Sequence, residues 1–205
     1  MADNNKKLDP TGLNCDFITG PVAHRFKYGG GRGQALARAV GLKDGKTPKI
    51  VDATAGLGHD GFLLASLGAK VTLIERSDQM HALLVAGMAE AALAGGPVAD
   101  VIARMTLIKG DAKDLLADMA PEVILVDPMH PPRKKSALVK KEMVLLRQIV
   151  GNDEDSIELM KAALNAAKNR VVLKWPRSAD PTPETPPPSH QILGKSTRYD
   201  VFMKP

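Results

Sequence analysis

The sequence contains few aromatic residues and a single cysteine. Aromatic side chains account for only 3% of the 205 residues, so aliphatic side chains must fill most of the core. One cysteine, Cys15, excludes an intramolecular disulfide and any metal site built from several cysteines. No apolar run approaches the length of a transmembrane helix, and residues 1–10 lack the apolar region of a secretion signal. We therefore expect a cytoplasmic protein that has no membrane segment.

The chain does contain enough apolar sequence for one large core. It is 44% hydrophobic and 25% charged, which is typical of a soluble globular domain. Its length fits one domain, and neither an internal repeat nor a second core is visible. Residues 1–20 show no periodicity. We therefore expect an irregular lead-in over residues 1–20 and a single domain over residues 21–205.

Positive charge is in modest excess and is concentrated in two places. The formal net charge of +5 is by itself only a weak indication of a polyanionic partner. Two basic clusters stand out along the sequence: His24, Arg25, Lys27 and Arg32, and then Arg133, Lys134, Lys135, Lys140 and Lys141. Two solvated loops are the simpler interpretation of these clusters, and a surface for a polyanion is the functional one.

From residue 49 onward the sequence alternates between strand and helix patterns. Strands are predicted at residues 49–56, 70–76, 105–111, 122–128 and 170–176, and helices at 34–42, 59–68, 79–94, 136–150 and from 152 or 153 to 169. Strands that are apolar throughout are typical of a parallel sheet with helices on both faces. Residues 190–196 and 198–204 are too close for a helix between them and should pair as an antiparallel hairpin at a sheet edge. An α/β fold with a mostly parallel sheet is therefore predicted.

A glycine-rich turn follows the first predicted strand. Gly56, Gly58 and Gly61 fit the spacing G-x-G-x-x-G, which alone is a weak signal. Glycines there permit a tight turn and a close approach of the backbone to a ligand. Glu75 lies 19 residues beyond Gly56, at the end of the second strand, where a carboxylate can accept both hydroxyl groups of a ribose. A nicotinamide dehydrogenase and a methyltransferase fit this pattern equally well.

Two further carboxylates distinguish these ligands. Asp52 lies at the end of the first strand, where it would repel a pyrophosphate but suit a ligand with a cationic amino-acid end. S-adenosylmethionine, which carries an ammonium and a sulfonium group, is such a ligand. Asp111 follows the third strand and offers a carboxylate to an adenine amino group. The pattern therefore favours S-adenosylmethionine over a dinucleotide.

The fourth strand ends on Asp127-Pro128-Met129-His130-Pro131. This stretch resembles the Asp-Pro-Pro-aromatic motif of amino-group methyltransferases, with His130 at the aromatic position. The lone pair of a base amine is delocalised into the ring, which makes the amine a poor nucleophile. A carboxylate and a proline carbonyl can accept its two N–H groups and hold the nitrogen in line with a methyl carbon. We therefore expect Asp127, Pro128 and His130 to form the catalytic end of the site.

The whole chain resembles the ribosomal RNA small subunit methyltransferase J family, which methylates the N2 amine of a guanine in 16S ribosomal RNA. The resemblance rests on "AHRFKYGGGRGQALARAVG", "VDATAGLGHDGFLLASLG", "LIER", "VDPMHPPRKKSALVKKEM", "RVVLKWP" and "RYDVF", which span residues 22–202. It implies a class I methyltransferase fold with seven strands. It also implies cofactor contacts at His59 and Asp60, at Glu75 and Arg76, at Asp111 and Ala112, and at Asp127.

The resemblance also implies 16S rRNA as the partner, within a small ribosomal subunit or its assembly intermediate, and no metal. The basic clusters then have a role, because phosphate contacts would hold the RNA backbone outside the pocket. Residues 27–33 are predicted to form a flexible glycine loop, which could act as a lid. The predicted RNA contacts are Arg25, Lys27, Tyr28, Arg32, Arg133, Lys134, Lys135, Lys140 and Lys141.

Three alternatives compete with this hypothesis. An N6-adenine or protein-glutamine methyltransferase uses a similar motif, but this chain lacks its aromatic residue and its second consecutive proline. A non-catalytic RNA-binding domain would not need Asp52, Glu75, Asp111 and Asp127. A dehydrogenase would not need the Asp-Pro motif. An RNA guanine-N2 methyltransferase is therefore the favoured hypothesis.

Overall fold

Seven strands form one mixed sheet in the order β3-β2-β1-β4-β5-β7-β6. The computed structural model describes residues 13–43, 45–128, 155–180 and 184–205. The strands are β1 Lys49–Asp52, β2 Lys70–Glu75, β3 Met105–Lys109, β4 Val123–Val126, β5 Arg170–Pro176, β6 His190–Leu193 and β7 Thr197–Met203. Strands β1 to β5 pair in parallel, and β7 pairs antiparallel with both β5 and β6. The predicted α/β sheet with an antiparallel C-terminal hairpin is therefore confirmed.

Helices connect the parallel strands. They are α1 Gly20–Tyr28, α2 Ala35–Ala39, α3 His59–Ser66, α4 Asp78–Leu93, α5 Gly96–Ile102, α6 Ala112–Met119 and α7 Ser156–Ala166, with a 3₁₀ turn over Gly31–Gly33. Within the described parts of the chain, no helix is both long and apolar enough to cross a membrane.

The central strands are buried on both faces, and successive side chains enter different cores. Ile50 lies in the core formed with α2, α3 and α4, whereas the next residue, Val51, lies in the core formed with α6 and α7. Leu125 and Val126 of β4 alternate in the same way. A strand with two buried faces must be apolar throughout, which explains the continuous run Val123–Val126.

Several helices differ from the prediction. Helix α1 extends through Tyr28, so the predicted glycine loop over 27–33 is instead a helix end followed by the 3₁₀ turn. No helix is predicted over Gly20–Tyr28, and helices α5 and α6 likewise occupy segments for which the sequence pattern predicts no element. Helix α7 ends at Ala166 rather than at residue 169. The predicted helix over 136–150 lies outside the described residues, as do the proposed caps at 152 and 153.

The described part of the lead-in, residues 13–19, packs against the core. Residues 13–19 contain no helix or strand, yet Leu13, Cys15 and Phe17 are buried. The ring of Phe17 stacks on Phe62 with the ring centroids 4.9 Å apart. A Cβ on Gly87 of α4 would lie 2.3 Å from the carbonyl oxygen of Cys15. The absence of a side chain at position 87 therefore lets the lead-in lie directly on α4.

Candidate active site

A cavity of about 370 Å³ opens at the carboxyl ends of the parallel strands. The chain leaves β1 toward β2 on one side and returns to β4 on the other, so the cavity lies at the point where the strand order reverses. Nine of the ten residues predicted to contact the cofactor line it: Asp52, Gly56, His59, Asp60, Glu75, Arg76, Asp111, Ala112 and Asp127.

The glycines after β1 have different roles. Gly56 lines the cavity with a φ of 54°. Gly58, with a φ of 72°, faces the core, where an added Cβ would lie 2.8 Å from Cδ2 of Leu84. A Cβ on Gly61 would lie 2.4 Å from Cδ2 of Leu73. Glycine is therefore needed at 58 and 61 for packing, and of these three glycines only Gly56 lines the cavity.

Glu75 is built into the glycine turn. Its Oε2 accepts the backbone N–H of Gly56 at 2.9 Å, and its Oε1 accepts the N–H of Ser77 at 2.8 Å. Burial raises the pKa of the Glu75 carboxyl, although these hydrogen bonds act in the opposite direction. A carboxylate has about four lone-pair sites, so these two bonds fix its orientation and leave capacity for a ligand.

Asp52 is the most buried carboxylate of the cavity, with 3% of its surface exposed. Its Oδ1 accepts the N–H of Thr54 at 3.1 Å. Burial raises the pKa of Asp52 to about 7, and the nearby negative charge of Asp60 adds to the rise. The ionised form of Asp52 therefore lacks sufficient positive charge around it, which is the environment that a cationic ligand would improve.

A lysine joins two carboxylates at the other side of the cavity. Nζ of Lys174, from β5, donates to Oδ2 of Asp60 at 2.6 Å and to Oδ2 of Asp127 at 2.7 Å. Burial alone would lower the pKa of Lys174, but the charges of Asp60 and Asp127 outweigh it and raise that pKa. Nη1 of Arg25 lies 3.6 Å from Oδ1 of Asp60. Thr54 fixes the backbone here, because its Oγ1 accepts the N–H of Asp127 at 2.7 Å.

The far wall of the cavity is held by charges around Asp155. Arg76 and Lys113 both donate to Oδ2 of Asp155, at 2.8 and 2.5 Å. Burial would raise the pKa of Asp155, but these two cations lower it overall. Asp111 caps α6, since its Oδ1 accepts the N–H of Lys113 at 2.9 Å. Asp111 therefore has a structural role in addition to any ligand contact.

The structure separates the predicted RNA contacts. Arg25 lines the cavity, and Arg32 donates to the carbonyl oxygen of Leu67 at 3.1 Å. Lys27 and Tyr28 are exposed on α1, and Tyr28 exposes 74% of its surface. Pro128, predicted to be catalytic, is buried and is not among the residues that line the cavity. The predicted residues His130, Arg133, Lys134, Lys135, Lys140 and Lys141 lie outside the described residues.

Sequence reasoning misses several residues of the cavity. It places Lys174 among the strand-end residues where a ligand should bind but gives it no role, and it does not single out Asp155 or Thr54. It predicts that Arg25 contacts RNA rather than lining the pocket. The signal for Lys174 is its position, because it follows Leu173, which pairs with Val126 directly before Asp127. An ammonium group beside an expected catalytic carboxylate could have been inferred from that register.

Known proteins resemble this chain over nearly its full length. A family model described as "Putative SAM-dependent methyltransferase" matches residues 2–204. The ribosomal RNA small subunit methyltransferase J of Brucella anthropi is 64% identical over 200 residues, which cover 98% of each chain. The protein of that name from Agrobacterium fabrum is 62% identical over 188 residues, covering 92% of this chain and 90% of the relative.

A solved structure agrees with these sequence relatives. The crystal structure of a SAM-dependent methyltransferase from Neisseria gonorrhoeae has a TM-score of 0.74 and 33% identity to this chain. The match covers 93% of this chain and 74% of that chain. Sequence and fold therefore indicate the same class of enzyme.

Proposed function

The chain belongs to the ribosomal RNA small subunit methyltransferase J family of SAM-dependent methyltransferases, and from this premise we propose that it methylates the exocyclic N2 amine of a guanosine in 16S ribosomal RNA. It is an enzyme with the class I methyltransferase fold, and its methyl donor is S-adenosylmethionine. The observation that carries the proposal is the cavity in which Asp52, Glu75, Asp111 and Asp127 lie at the carboxyl ends of four neighbouring strands.

The donor set of this cavity fits S-adenosylmethionine. Glu75, already oriented by Gly56 and Ser77, would accept the ribose hydroxyl groups. Asp52 is a buried carboxylate with too little positive charge nearby, so it would favour the ammonium group of the cofactor. Asp111 would face the adenine amino group. The cofactor, when bound, supplies an electrophilic methyl group on a sulfonium.

Asp127 is proposed to orient the amine that receives the methyl group. It lies at the end of β4 with 33% of its side chain exposed, so an RNA base can reach it. Its carboxylate would accept an N–H of the amine, and the carbonyl of Pro128 would accept the other. Transfer of the methyl group would break its bond to the sulfonium sulfur, leave a neutral thioether, and give the amine nitrogen a positive charge; the Asp127 carboxylate would stabilise that charge and take up the proton that the amine releases.

The substrate is proposed to be the small ribosomal subunit or its assembly intermediate. Lys27, Tyr28 and the sequence cluster Arg133, Lys134, Lys135, Lys140 and Lys141 would contact its phosphates and bases. The proposed location is the cytoplasm, where a protein that acts on small ribosomal subunits meets its substrate.

Methyl transfer from labelled S-adenosylmethionine to small subunits that lack the modification tests this proposal. Mass mapping of the product RNA should find a methyl group on N2 of one guanosine. Asp127→Asn preserves size but removes the charge, so single-turnover transfer should fall by roughly 10²–10³-fold, the usual effect of removing a positioned electrostatic group. Label on another base, or in no RNA at all, would contradict the proposal.

A further inference from the structure

Asp127 and Lys174 lie side by side at the open end of the sheet. Val126 pairs with Leu173 in the parallel register of β4 and β5, so the residues that follow them are neighbours. Nζ of Lys174 is 2.7 Å from Oδ2 of Asp127. About a third of the Asp127 side chain and a quarter of the Lys174 side chain remain exposed, at 33% and 26%. The pair therefore presents polar atoms to the cavity as well as to each other.

The order of these polar atoms has a chemical meaning. The two carboxylate oxygens of Asp127 are acceptors, and the ammonium of Lys174 beside them is a donor. Acceptor, acceptor, donor is also the pattern on the pairing edge of cytosine. The complementary edge, with N2–H and N1–H donors followed by the O6 acceptor, belongs to guanine.

We propose that Asp127 and Lys174 together recognise the Watson–Crick edge of the target guanine, with Asp127 accepting N2–H and N1–H and Lys174 donating to O6. This inference rests on the proposed function and adds to it the group that selects the base. It assigns Lys174 a direct contact with substrate.

The hydrogen bonds of Lys174 position its ammonium group for donation to O6 of guanine. An ammonium group has three N–H donors, and Asp60 and Asp127 accept from Lys174 at 2.6 and 2.7 Å. One donor then remains for a base oxygen. Arg25 stands 3.6 Å from the other oxygen of Asp60, which helps to hold that carboxylate. Because Asp60 and Asp127 both accept from Nζ of Lys174, the ammonium group is anchored and cannot easily move aside for a base that lacks O6.

Contacts to the edge of the base are compatible with methylation. Hydrogen bonds to N1–H, N2–H and O6 lie in the plane of the ring, whereas the amine nitrogen attacks through its face. Edge recognition by Asp127 and Lys174 therefore leaves the reacting direction open. Adenine presents a donor at position 6 and an acceptor at N1, so it would meet two mismatched groups, and a site built for one pattern rejects the other strongly.

The test uses two substrates that share the reacting amine. Small subunits are reconstituted with 16S rRNA that carries, at the mapped target position, either guanosine or 2-aminoadenosine. The second base keeps the N2 amine but replaces O6 with an amino group and N1–H with an acceptor. Single-turnover methyl transfer is measured at saturating S-adenosylmethionine, and the ratio of the two rates is the readout. A defect in folding or in cofactor affinity changes both rates equally and leaves the ratio unaltered.

The wild-type enzyme should prefer guanosine by at least about 100-fold, since both mismatches leave polar groups unpaired. Lys174→Met removes the donor and should reduce this preference by about 10-fold or more. Asp127→Asn should reduce the preference for guanosine more than Lys174→Met does. Its amide can donate to N1 of 2-aminoadenine while its oxygen accepts N2–H.

Lys161→Met is the matched control. Nζ of Lys161 lies 2.9 Å from Glu184 in an ion pair that is more than half exposed on both sides and lies away from the cavity lining. The Lys161→Met variant should prefer guanosine over 2-aminoadenosine to the same extent as the wild type. If the wild type methylates both bases at similar rates, or if Lys174→Met slows both equally, this inference is refuted while the proposed function stands. If the wild type leaves the guanosine unmethylated, the proposed function itself is refuted.

Discussion

Asp52→Asn should make the cofactor-free protein more stable at alkaline pH. The pKa of Asp52 rises from 3.8 to about 7 on folding, mainly because of burial. At about 1.4 kcal/mol for each pH unit between these values, the ionised carboxylate costs the folded protein about 4 kcal/mol at pH 8. Asparagine has no charge to bury. Its side-chain oxygen can still accept the N–H of Thr54, which in the wild type lies 3.1 Å from Oδ1 of Asp52.

The sign of the pH dependence follows from the raised pKa. Between pH 4 and pH 7 the folded protein keeps a proton on Asp52 that the unfolded chain has released. The stabilising contribution of Asp52 is therefore complete below about pH 4 and declines as the pH rises to about 7. The advantage of Asp52→Asn should be small near pH 4 and largest at pH 8, where it corresponds to a rise in Tm of roughly 8–16 °C.

Thermal unfolding of both proteins from pH 4 to pH 9, without S-adenosylmethionine, measures this difference. Asp118→Asn is a matched control, because it makes the same chemical change at an exposed position of α6. Its Tm profile should follow that of the wild type. Parallel profiles for Asp52→Asn and the wild type would refute the argument that an uncompensated charge resides on Asp52.

The remaining predictions concern other parts of the molecule. Glu75→Ala should weaken S-adenosylmethionine binding by about 1–3 kcal/mol and should also lower stability, since two backbone N–H groups would have no acceptor; calorimetric titration and chemical denaturation measure the two effects, and an unchanged Kd would contradict the ribose assignment. Replacing Lys134 and Lys135 by Ala should flatten the log–log salt dependence of RNA binding by roughly 0.7–0.9 for each phosphate that is no longer neutralised, whereas an unchanged slope would mean that both lysines are solvated. Gly87→Ala should destabilise the fold by about 1–3 kcal/mol in denaturant titrations, because its Cβ would lie 2.3 Å from the carbonyl oxygen of Cys15; wild-type stability would show that the lead-in shifts without cost.

The strands of the sheet can be predicted from the sequence because each one is marked by a short local pattern. Each parallel strand is a short apolar run bounded by turn residues, and burial on both faces makes such runs stand out. Since parallel strands expose their carboxyl ends at one edge, predicting the strands also predicts that Glu75 and Asp127 line the same cavity. Most of the predicted cofactor residues therefore lie together, although Gly58 faces the core.

Two of the three unpredicted helices, α5 and α6, begin with a residue that has another possible role in the sequence pattern. Pro97 suggests a break, but it lies in the first turn of α5, where the missing N–H of proline costs nothing. Asp111 is predicted only as a ligand, yet it also acts as the N-cap of α6. In both cases the residue ends one element and begins another, and the sequence pattern alone does not separate these roles.

The hydrogen bonds of the site depend on tertiary contacts that no short motif specifies. Lys174 lies 47 residues from Asp127 and 114 from Asp60. It meets Asp127 because β5 lies beside β4, and it meets Asp60 because the first turn of α3 reaches the same cavity. The bonds from Asp155 to Arg76 and Lys113 likewise span different parts of the chain. Long side chains choose such partners by packing and distance, which are known only when the fold is known.

The strand order also constrains the time at which the sheet can be completed during synthesis. β6 precedes β7 along the chain, but β7 lies between β5 and β6 in the sheet. When β6 has been synthesised but β7 has not, β6 has no strand with which to pair, because β5 pairs with β7 along Arg170–Pro176. Until β7 emerges, the free edge of β5 and the unpaired β6 remain open to other strands. Between the emergence of β5 and that of β7, the growing chain therefore exposes unpaired strand edges that can pair with other chains.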